Sequence, residues 1–266
     1  MNPLQSTQMP PLSSIGALRV ATYNIHKGVR GLGRAKRLEI HNLGLAVESF
    51  DADLVFLQEV LLFHTRDARR FDRTSFGWPE QGQAEFLAPD GYDVAYRSNA
   101  VTRHGEHGNA LLSRWPMGDV GHRDVSDHRF EQRGLLHVPV KWNGATVHAV
   151  VVHFGLVHAS RVRQVERLAS FIETEVPPGE MLVVAGDFND WGEKLDAPMA
   201  AIGLTRAAVP DASRAQRLTF PSLAPVFALD RFYLRGLRCA TMMVPRGLVW
   251  ARMSDHLPLV AELEPA

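Results

Sequence analysis

The chain has 266 residues, 45% of them hydrophobic, and its 29 Lys plus Arg balance 29 Asp plus Glu. That length and apolar content suffice for one sizeable core, while zero formal charge removes the overall basic footprint by which nucleic-acid-binding proteins usually show themselves. The single cysteine, Cys239, excludes a disulfide framework or a multi-thiolate metal site within the chain and makes a reducing, cytoplasmic compartment the expectation.

The opening segment MNPLQSTQMPPLSSIG lacks a basic start and an apolar h-region, so it does not read as a secretory signal. It is expected to be a disordered tail over residues 1–16, followed by one domain over 17–266 with no internal repeat and no mid-chain linker. No apolar run is long enough to span a bilayer, so stable membrane insertion is not expected.

In chain order, the first element is a strand, LRVATYN (18–24). Ile40, Leu43, Val47 and Phe50 recur at spacings of three and four and predict an amphipathic helix. DLVFLQE (53–59) reads as a buried strand. Residues 60–107 are poorer in pattern and read as long loops around a short helix near Glu85–Leu87 and a strand at Tyr92–Arg97. Further strands are NALLS (109–113), GLLHVPV (134–140) and TVHAVVVH (146–153). A second helix follows on Val165, Leu168, Ile172 and Val176, with Ser160 as its expected N-cap. MLVVAGD (181–187) and LPLVAEL (257–263) complete the strands. The class is α/β, with mixed sheets and helices packed outside them.

The strands end in a consistent way. Asn24, Glu59, His153 and Asp187 each close one, while Asn109 and the pair Asp255-His256 stand where others begin. Strands that run antiparallel bring starts and ends to the same rim, so these positions are expected to gather. Clustered acids such as Glu59, Asp187, Asp230 and Asp255 would repel one another unless a positive charge sits among them. Hard oxygen ligands without cysteine argue for Mg²⁺ or Mn²⁺, which suits a phosphate substrate. Of twelve histidines, His153 and His256 abut strand runs, and Asp230 in VFALDRFYL is the expected carboxylate partner of His256. Such a partner fixes the tautomer and raises the pKa.

TYNIHKG (22–28), LQEV (57–60), GNALLSRWP (108–116), VVVHFGL (150–156), GDFNDW (186–191), FALDRF (227–232) and SDHLPL (254–259), in this order, resemble the endonuclease/exonuclease/phosphatase superfamily over roughly residues 18–263. Any one tetrapeptide is weak, whereas the ordered set is specific. The resemblance implies a four-layer sandwich like that of deoxyribonuclease I, two mixed sheets flanked by helices, and divalent-metal-dependent phosphoester hydrolysis by in-line attack of water. It implies that Asn24, Glu59 and Asp255 serve the metal and that Asp187 positions or deprotonates the water. Asn189 would contact the phosphate, and His256, oriented by Asp230, would contact the scissile group. His153 matches the deoxyribonuclease I and sphingomyelinase branch. Abasic-site endonucleases carry an acid where this chain has His26, which argues against a dedicated DNA-repair role. The small stand-alone bacterial members with TYNIHKG and GDFNDW are the nearest likeness.

Three positions are expected to touch substrate: His26, Asn109 and Arg161. Arg161 falls in the first turn of its helix, facing the sheet, where a cation opposes the helix dipole and calls for an acid or a bound anion. The strip KGVRGLGRAKR (27–37) carries Lys27, Arg30, Arg34, Lys36 and Arg37 with no acid, and fits either a phosphate or a solvated loop. Its glycines run G-x-x-G-x-G and do not make a dinucleotide fingerprint. Arg66, Arg69, Arg70 and Arg73 are diluted by Asp67 and Asp72 and read as a solvated face. Trp78 and Trp191 could stack on a base or a headgroup, while Trp115 reads as a packed turn. Nucleic acid and small or lipid phosphodiesters both remain open as substrates. So does a non-catalytic protein that only binds a phosphorylated ligand.

Overall fold

The computed structural model describes residues 16–31, 33–210 and 213–266, so the expected N-terminal tail lies outside the described residues except for Gly16. The strands are β1 (Leu18–Asn24), β2 (Val29–Arg30), β3 (Arg37–Leu38), β4 (Leu54–His64), β5 (Asp93–Thr102), β6 (Gly105–Ser113) and β7 (Gly121–Asp124). They continue with β8 (Gly134–Trp142), β9 (Ala145–His153), β10 (Met181–Asp187), β11 (Thr205–Arg206), β12 (Asp230–Arg235), β13 (Leu237–Met243) and β14 (Leu259–Pro265). The helices are α1 (Ile40–Ser49), α2 (Thr65–Arg70), α3 (Arg73–Phe76), α4 (Gln83–Leu87), α5 (His158–Glu175), α6 (Asp196–Ala201) and α7 (Leu248–Met253). Among the described residues no helix is long and apolar enough to cross a membrane.

Two six-stranded mixed sheets carry the fold, in the orders β13-β14-β1-β4-β6-β5 and β11-β12-β10-β9-β8-β7. The strand period of two explains why they face each other. Val20 of β1, Phe56 of β4, Val151 of β9, Ala185 of β10 and Phe232 of β12 all enter one core between the sheets. The alternate positions Tyr23, Val55 and Leu57 pack outward on Ile40, Leu43 and Val47 of α1. On the far side Val152, Leu182 and Val184 pack on Val165, Leu168 and Ile172 of α5. The expected sandwich, with helices outside two mixed sheets, is the observed architecture.

This parity positions the site. Two residues beyond Phe56-type inward positions, β1 reaches Asn24, β9 reaches His153 and β10 reaches Asp187, each turned into the gap between the sheets. β1 runs parallel to β4, and β9 runs parallel to β10, so these ends share one edge of the sandwich. β12 runs antiparallel and starts there, with Asp230 opposite Asp187.

Several local expectations need correction. Ser160 is not the N-cap of α5: the helix begins at His158, Val157 holds the cap position without a side-chain bond, and the Ser160 hydroxyl donates to Asp127 Oδ2 at 2.7 Å. Residues 60–107 hold more order than their weak pattern indicates, because β4 runs on to His64, α2 and α3 follow, and β5 reaches Thr102. β12 (DRFYLR) and β13 (LRCATMM) mix polar and apolar residues and are not among the expected strands; pairing with β10 and β14 holds them.

Gly186 answers a question posed by GDFNDW. Its φ is +147°, and a Cβ there would lie 1.8 Å from the Val152 carbonyl oxygen on β9. Only glycine lets β10 come this close just before Asp187. Gly186→Ala is therefore expected to destabilise the protein by roughly 3 kcal/mol or more, through backbone strain and the clash together. Urea unfolding measures this directly, and an unchanged midpoint would contradict it.

Candidate active site

The gap between the sheets opens into a cleft of about 300 Å³ at the shared edge, lined by Asn24, Glu59, His153, Asp187, Asn189, Asp255 and His256 among others. Asp187 is its centre. Asp187 Oδ1 accepts the Asn189 backbone N–H at 2.9 Å and Oδ2 accepts Asn24 Nδ2 at 3.1 Å. The Nε2 atoms of His153 and His256 each stand 3.6 Å from the same Oδ2, too far for a direct hydrogen bond and close enough to share a bound group.

His256 reaches the cleft from the loop before β14. Its Nδ1–H donates to Asp230 Oδ2 at 2.8 Å, as the sequence pairing anticipated. Ser254 Oγ donates to the Asn24 carbonyl at 2.7 Å and ties that loop to β1. Glu59 arrives differently. The alternation of β4 would turn it outward, but Glu59 adopts a φ of +55° where the register with β6 shifts between Leu57 and Val60. This bulge re-aims the side chain into the cleft. There Oε1 accepts Asn24 Nδ2 at 3.4 Å, and Oε2 lies 2.9 Å from Lys27 Nζ.

Burial alone would raise the Glu59 carboxyl, but Lys27 and His153 hold it well below the usual carboxylate range. The two histidines are driven apart. Burial pulls His256 down, yet Asp230 and Asp187 outweigh it and push the imidazole up to about 10. Burial, reinforced by Arg133, lowers His153 to about 4 against Asp187 and Glu59. At neutral pH an imidazolium and a neutral imidazole thus face one carboxylate. Environments that separate like groups in this way are a mark of acid–base assignment.

The model of the Endonuclease/Exonuclease/phosphatase family matches residues 21–256. The chain belongs to the endonuclease/exonuclease/phosphatase family. The uncharacterized protein YbhP of Escherichia coli K12 is 38% identical over 262 residues, which is 96% of this chain and 99% of YbhP. Among solved structures, a family protein from Leptotrichia buccalis matches with a TM-score of 0.71 at 15% identity, covering 93% of this chain and 100% of that one. D. rerio TDP2 complexed with a single-strand DNA product matches with a TM-score of 0.64 at 16% identity, covering 93% and 99%. At such identities the structures share the fold alone.

Within this family member not every expected residue faces the cleft. Asn24, Glu59, His153, Asp187, Asn189, Asp255 and His256 line it, and Asp230 lies behind His256. Asn189 lines the wall, with its Nδ2 engaged by the Phe154 carbonyl at 2.9 Å. His26 stands at the mouth, its Nδ1 3.3 Å from Asp255 Oδ2. Asn109 lies outside the lining: it is fully buried and donates to the Gly134 and Val151 carbonyls at 3.0 and 3.2 Å, clamping β6 of one sheet to β8 and β9 of the other. Arg161 is likewise buried away from the cleft. Its Nη1 donates to the Gly155 and Leu156 carbonyls and its Nη2 lies 3.8 Å from Asp190 Oδ1, so the anion its helix position called for is a side chain of the protein.

Other lining residues went unrecognised in the sequence. Lys27 was one of five cations in a strip, and nothing local singled out its pairing with Glu59. His107, lowered to about 4 by burial and by Lys27, resembles any other loop histidine in sequence. Arg133 lines the cleft with Nε donating to the Phe154 carbonyl at 3.1 Å. Of the tryptophans weighed in the sequence as stacking surfaces or packing, Trp191 lines the cleft, packed edge-on against Phe220 and Phe227, whereas Trp78 stacks on Phe71 and Trp115 donates to Asp53.

Asp190, the second acid of GDFNDW, anchors the site from behind. Arg231 Nη1 donates to its Oδ2 at 2.8 Å and Arg231 Nη2 to its carbonyl at 2.9 Å, joining the start of β12 to the turn after Asp187. Removing one partner of a buried pair leaves the other charge uncompensated, so Arg231→Met is expected to cost about 3–5 kcal/mol of stability. The histidines make a second expectation. His256 contributes stability that is complete below its ordinary value of 6.5 and is lost as pH rises toward about 10. His153, depressed, loses its contribution as pH falls from 6.5 through about 4. Imidazole NMR should find His256 protonated at pH 8 and His153 neutral at pH 5.5, and Asp230→Asn should lower the His256 value. The reverse order of titration would overturn the assignment.

Proposed function

We propose that this protein is a Mg²⁺- or Mn²⁺-dependent hydrolase that cleaves phosphodiesters by in-line attack of water. The observation that carries the reading is Asp187, a buried carboxylate faced at equal distance by one charged and one neutral histidine. That arrangement offers a proton acceptor beside a cationic donor in one cleft of about 300 Å³.

The donor set fits a hard divalent cation. Glu59 and Asp255 supply carboxylate oxygens and Asn24 an amide oxygen that accepts the His26 N–H at 3.1 Å, while Glu59 Oε2 is already met by a cation, the Lys27 ammonium. Among the described residues no three His, Cys, Asp or Glu groups form a ready-made cage. Mg²⁺ requires none, since it commonly binds through one or two carboxylates and completes its shell with water and substrate phosphate. Bound there, the ion would neutralise charge developing on a phosphoryl oxygen.

The chain's own groups supply the rest. Asp187, held by Asn24 and the Asn189 N–H, takes a proton from the attacking water. The His256 imidazolium, kept in one tautomer by Asp230, donates from Nε2 to a phosphoryl oxygen. His153, neutral, offers its Nε2–H to the same group from the opposite side. A new P–O bond forms to the water oxygen, the ester P–O bond breaks, and the leaving oxygen takes up a proton from solvent as Asp187 releases the one it accepted. The TDP2 relative solved with DNA supports a nucleic-acid strand as one substrate class, while zero net charge suits small or lipid phosphodiesters. A second reading, ligand binding without turnover, has one contact in its favour: the Lys27 ammonium neutralises Glu59.

Hydrolysis of bis-p-nitrophenyl phosphate separates the two readings. Asp187→Ala or His256→Ala should reduce kcat by several hundredfold or more with the circular dichroism spectrum unchanged. Chelation with EDTA should abolish turnover, and Mg²⁺ or Mn²⁺ should restore it. Undiminished activity in either variant would remove the proposed roles, and no activity in any metal would leave the binding reading standing.

A further inference from the structure

Two further cavities adjoin the catalytic cleft. One, of about 510 Å³, shares Lys27 with it. The other, of about 540 Å³, shares His107, Arg133 and Leu156 and runs along the loop before β8. The outer wall of this second cavity is apolar and uncovered. Phe130 is 82% exposed, and Leu156 and Val157, on the turn after β9, are exposed in the same wall.

The opposite side of the cleft repeats the pattern. There Trp191 lines the cleft and packs edge-on against Phe220 and Phe227, the pair that closes a loop between them. The tip of that loop leaves Leu223 and Val226 exposed. The loop is tied to the site, because the Ser222 N–H donates at 2.8 Å to the carbonyl of Asp255, the neighbour of His256. The segment TFPSLAPVFAL (219–229) carries no charge, and neither does FGLV (154–157). Both lie at one edge of the sandwich, since β9 and β10 end there and β8 and β12 begin there.

Single exposed apolar side chains are ordinary, but six that flank one cleft call for a common partner. That partner has to touch both walls and still present a phosphodiester between them. A nucleic-acid strand is met by cations and flat rings, whereas Leu156, Val157, Leu223 and Val226 offer neither charge nor a stacking face. A lipid surface fits all of them. Aliphatic groups enter the acyl boundary, and an indole such as that of Trp191 suits the headgroup level. Cations stand on both sides to meet anionic headgroups: Arg129 lies 4.6 Å from the Phe130 ring centroid, and Arg246 Nη2 donates at 3.3 Å to the Leu218 carbonyl, just before the uncharged loop.

We propose that the rim of the cleft docks on an anionic lipid surface, with Phe130, Leu156 and Val157 entering on one side and Trp191, Leu223 and Val226 on the other. The substrate is then a phospholipid, whose headgroup phosphodiester meets the docked cleft. The choice of substrate rests on the phosphodiesterase reading above; the docking does not.

Vesicle flotation in EDTA tests the docking without turnover. The protein should float with vesicles of equal parts phosphatidylglycerol and phosphatidylcholine, and far less with phosphatidylcholine alone. Phe130→Ser and Leu223→Ser, neither of which lines the cleft, should each weaken the partition by about tenfold or more and leave hydrolysis of bis-p-nitrophenyl phosphate unchanged. No flotation, or flotation undiminished in both variants, would overturn the proposal. So would loss of single-stranded oligonucleotide binding in the same variants, which would assign the rim to nucleic acid. A second measurement addresses the substrate. Phosphatidylglycerol in these vesicles should be hydrolysed with a kcat/KM about tenfold or more above that of glycerophosphoglycerol, its deacylated counterpart, and both serine variants should erase the difference. Phosphatidylglycerol turned over no faster than glycerophosphoglycerol would overturn the lipid substrate. Flotation with no hydrolysis of any ester would sustain the docking and strike the phosphodiesterase reading instead.

Discussion

The site depends on burying one carboxylate at the seam of two sheets. Asp187 is 1% exposed and continues the inward series of Val183 and Ala185. A charge in that position is costly unless every oxygen finds a partner. Asn24 crosses from the opposite sheet to reach one oxygen, the Asn189 N–H turns back to the other, and two imidazoles flank the first. Asn24, His153 and Asn189 occupy strand ends or the turn after one, and His256 comes from the loop before β14. Satisfying Asp187 therefore requires the ends of β1, β9 and β10 to lie level with one another.

A second layer of polar groups keeps that first layer in register. Asn109 bonds one sheet to the backbone of the other just beneath the cleft. Asp190, Arg231 and Arg161 join the turn after β10, the start of β12 and the loop after β9. None of these three touches the cleft, yet each holds an element that does. Buried charged groups of this kind contribute little net stability compared with apolar packing. What they contribute is a defined position for the backbone that carries Asp187, Asp230 and His153.

Much of this was legible in the sequence because the strands signal by period. The apolar runs ending in Asn24, His153 and Asp187 give both the strand and the inward face, and the pairing of His256 with Asp230 follows from polar residues interrupting otherwise apolar segments. Glu59 is where the sequence expected it, but it arrives through a left-handed residue and a register shift, which no alternation rule encodes. The failures have physical causes too. Asn109 and Arg161 look like substrate ligands in one dimension, since a polar group facing a sheet requires a partner; the backbone carbonyls and the carboxylate that meet them come from remote segments. β12 and β13 lack a clean apolar period because neighbouring strands, not composition, hold them.

The contact between Lys27 and Glu59 lies where the cleft meets the cavity of about 510 Å³. Lys27 stands on a turn in which both His26 and Lys27 have positive φ, at 45° and 61°, so the fold sets the backbone from which its ammonium reaches Glu59. The same residue lines the neighbouring cavity, so one side chain forms the wall between the two. The turn after β1 and the bulge in β4 are therefore matched features: the bulge turns a carboxylate inward, and the turn delivers the cation that meets it.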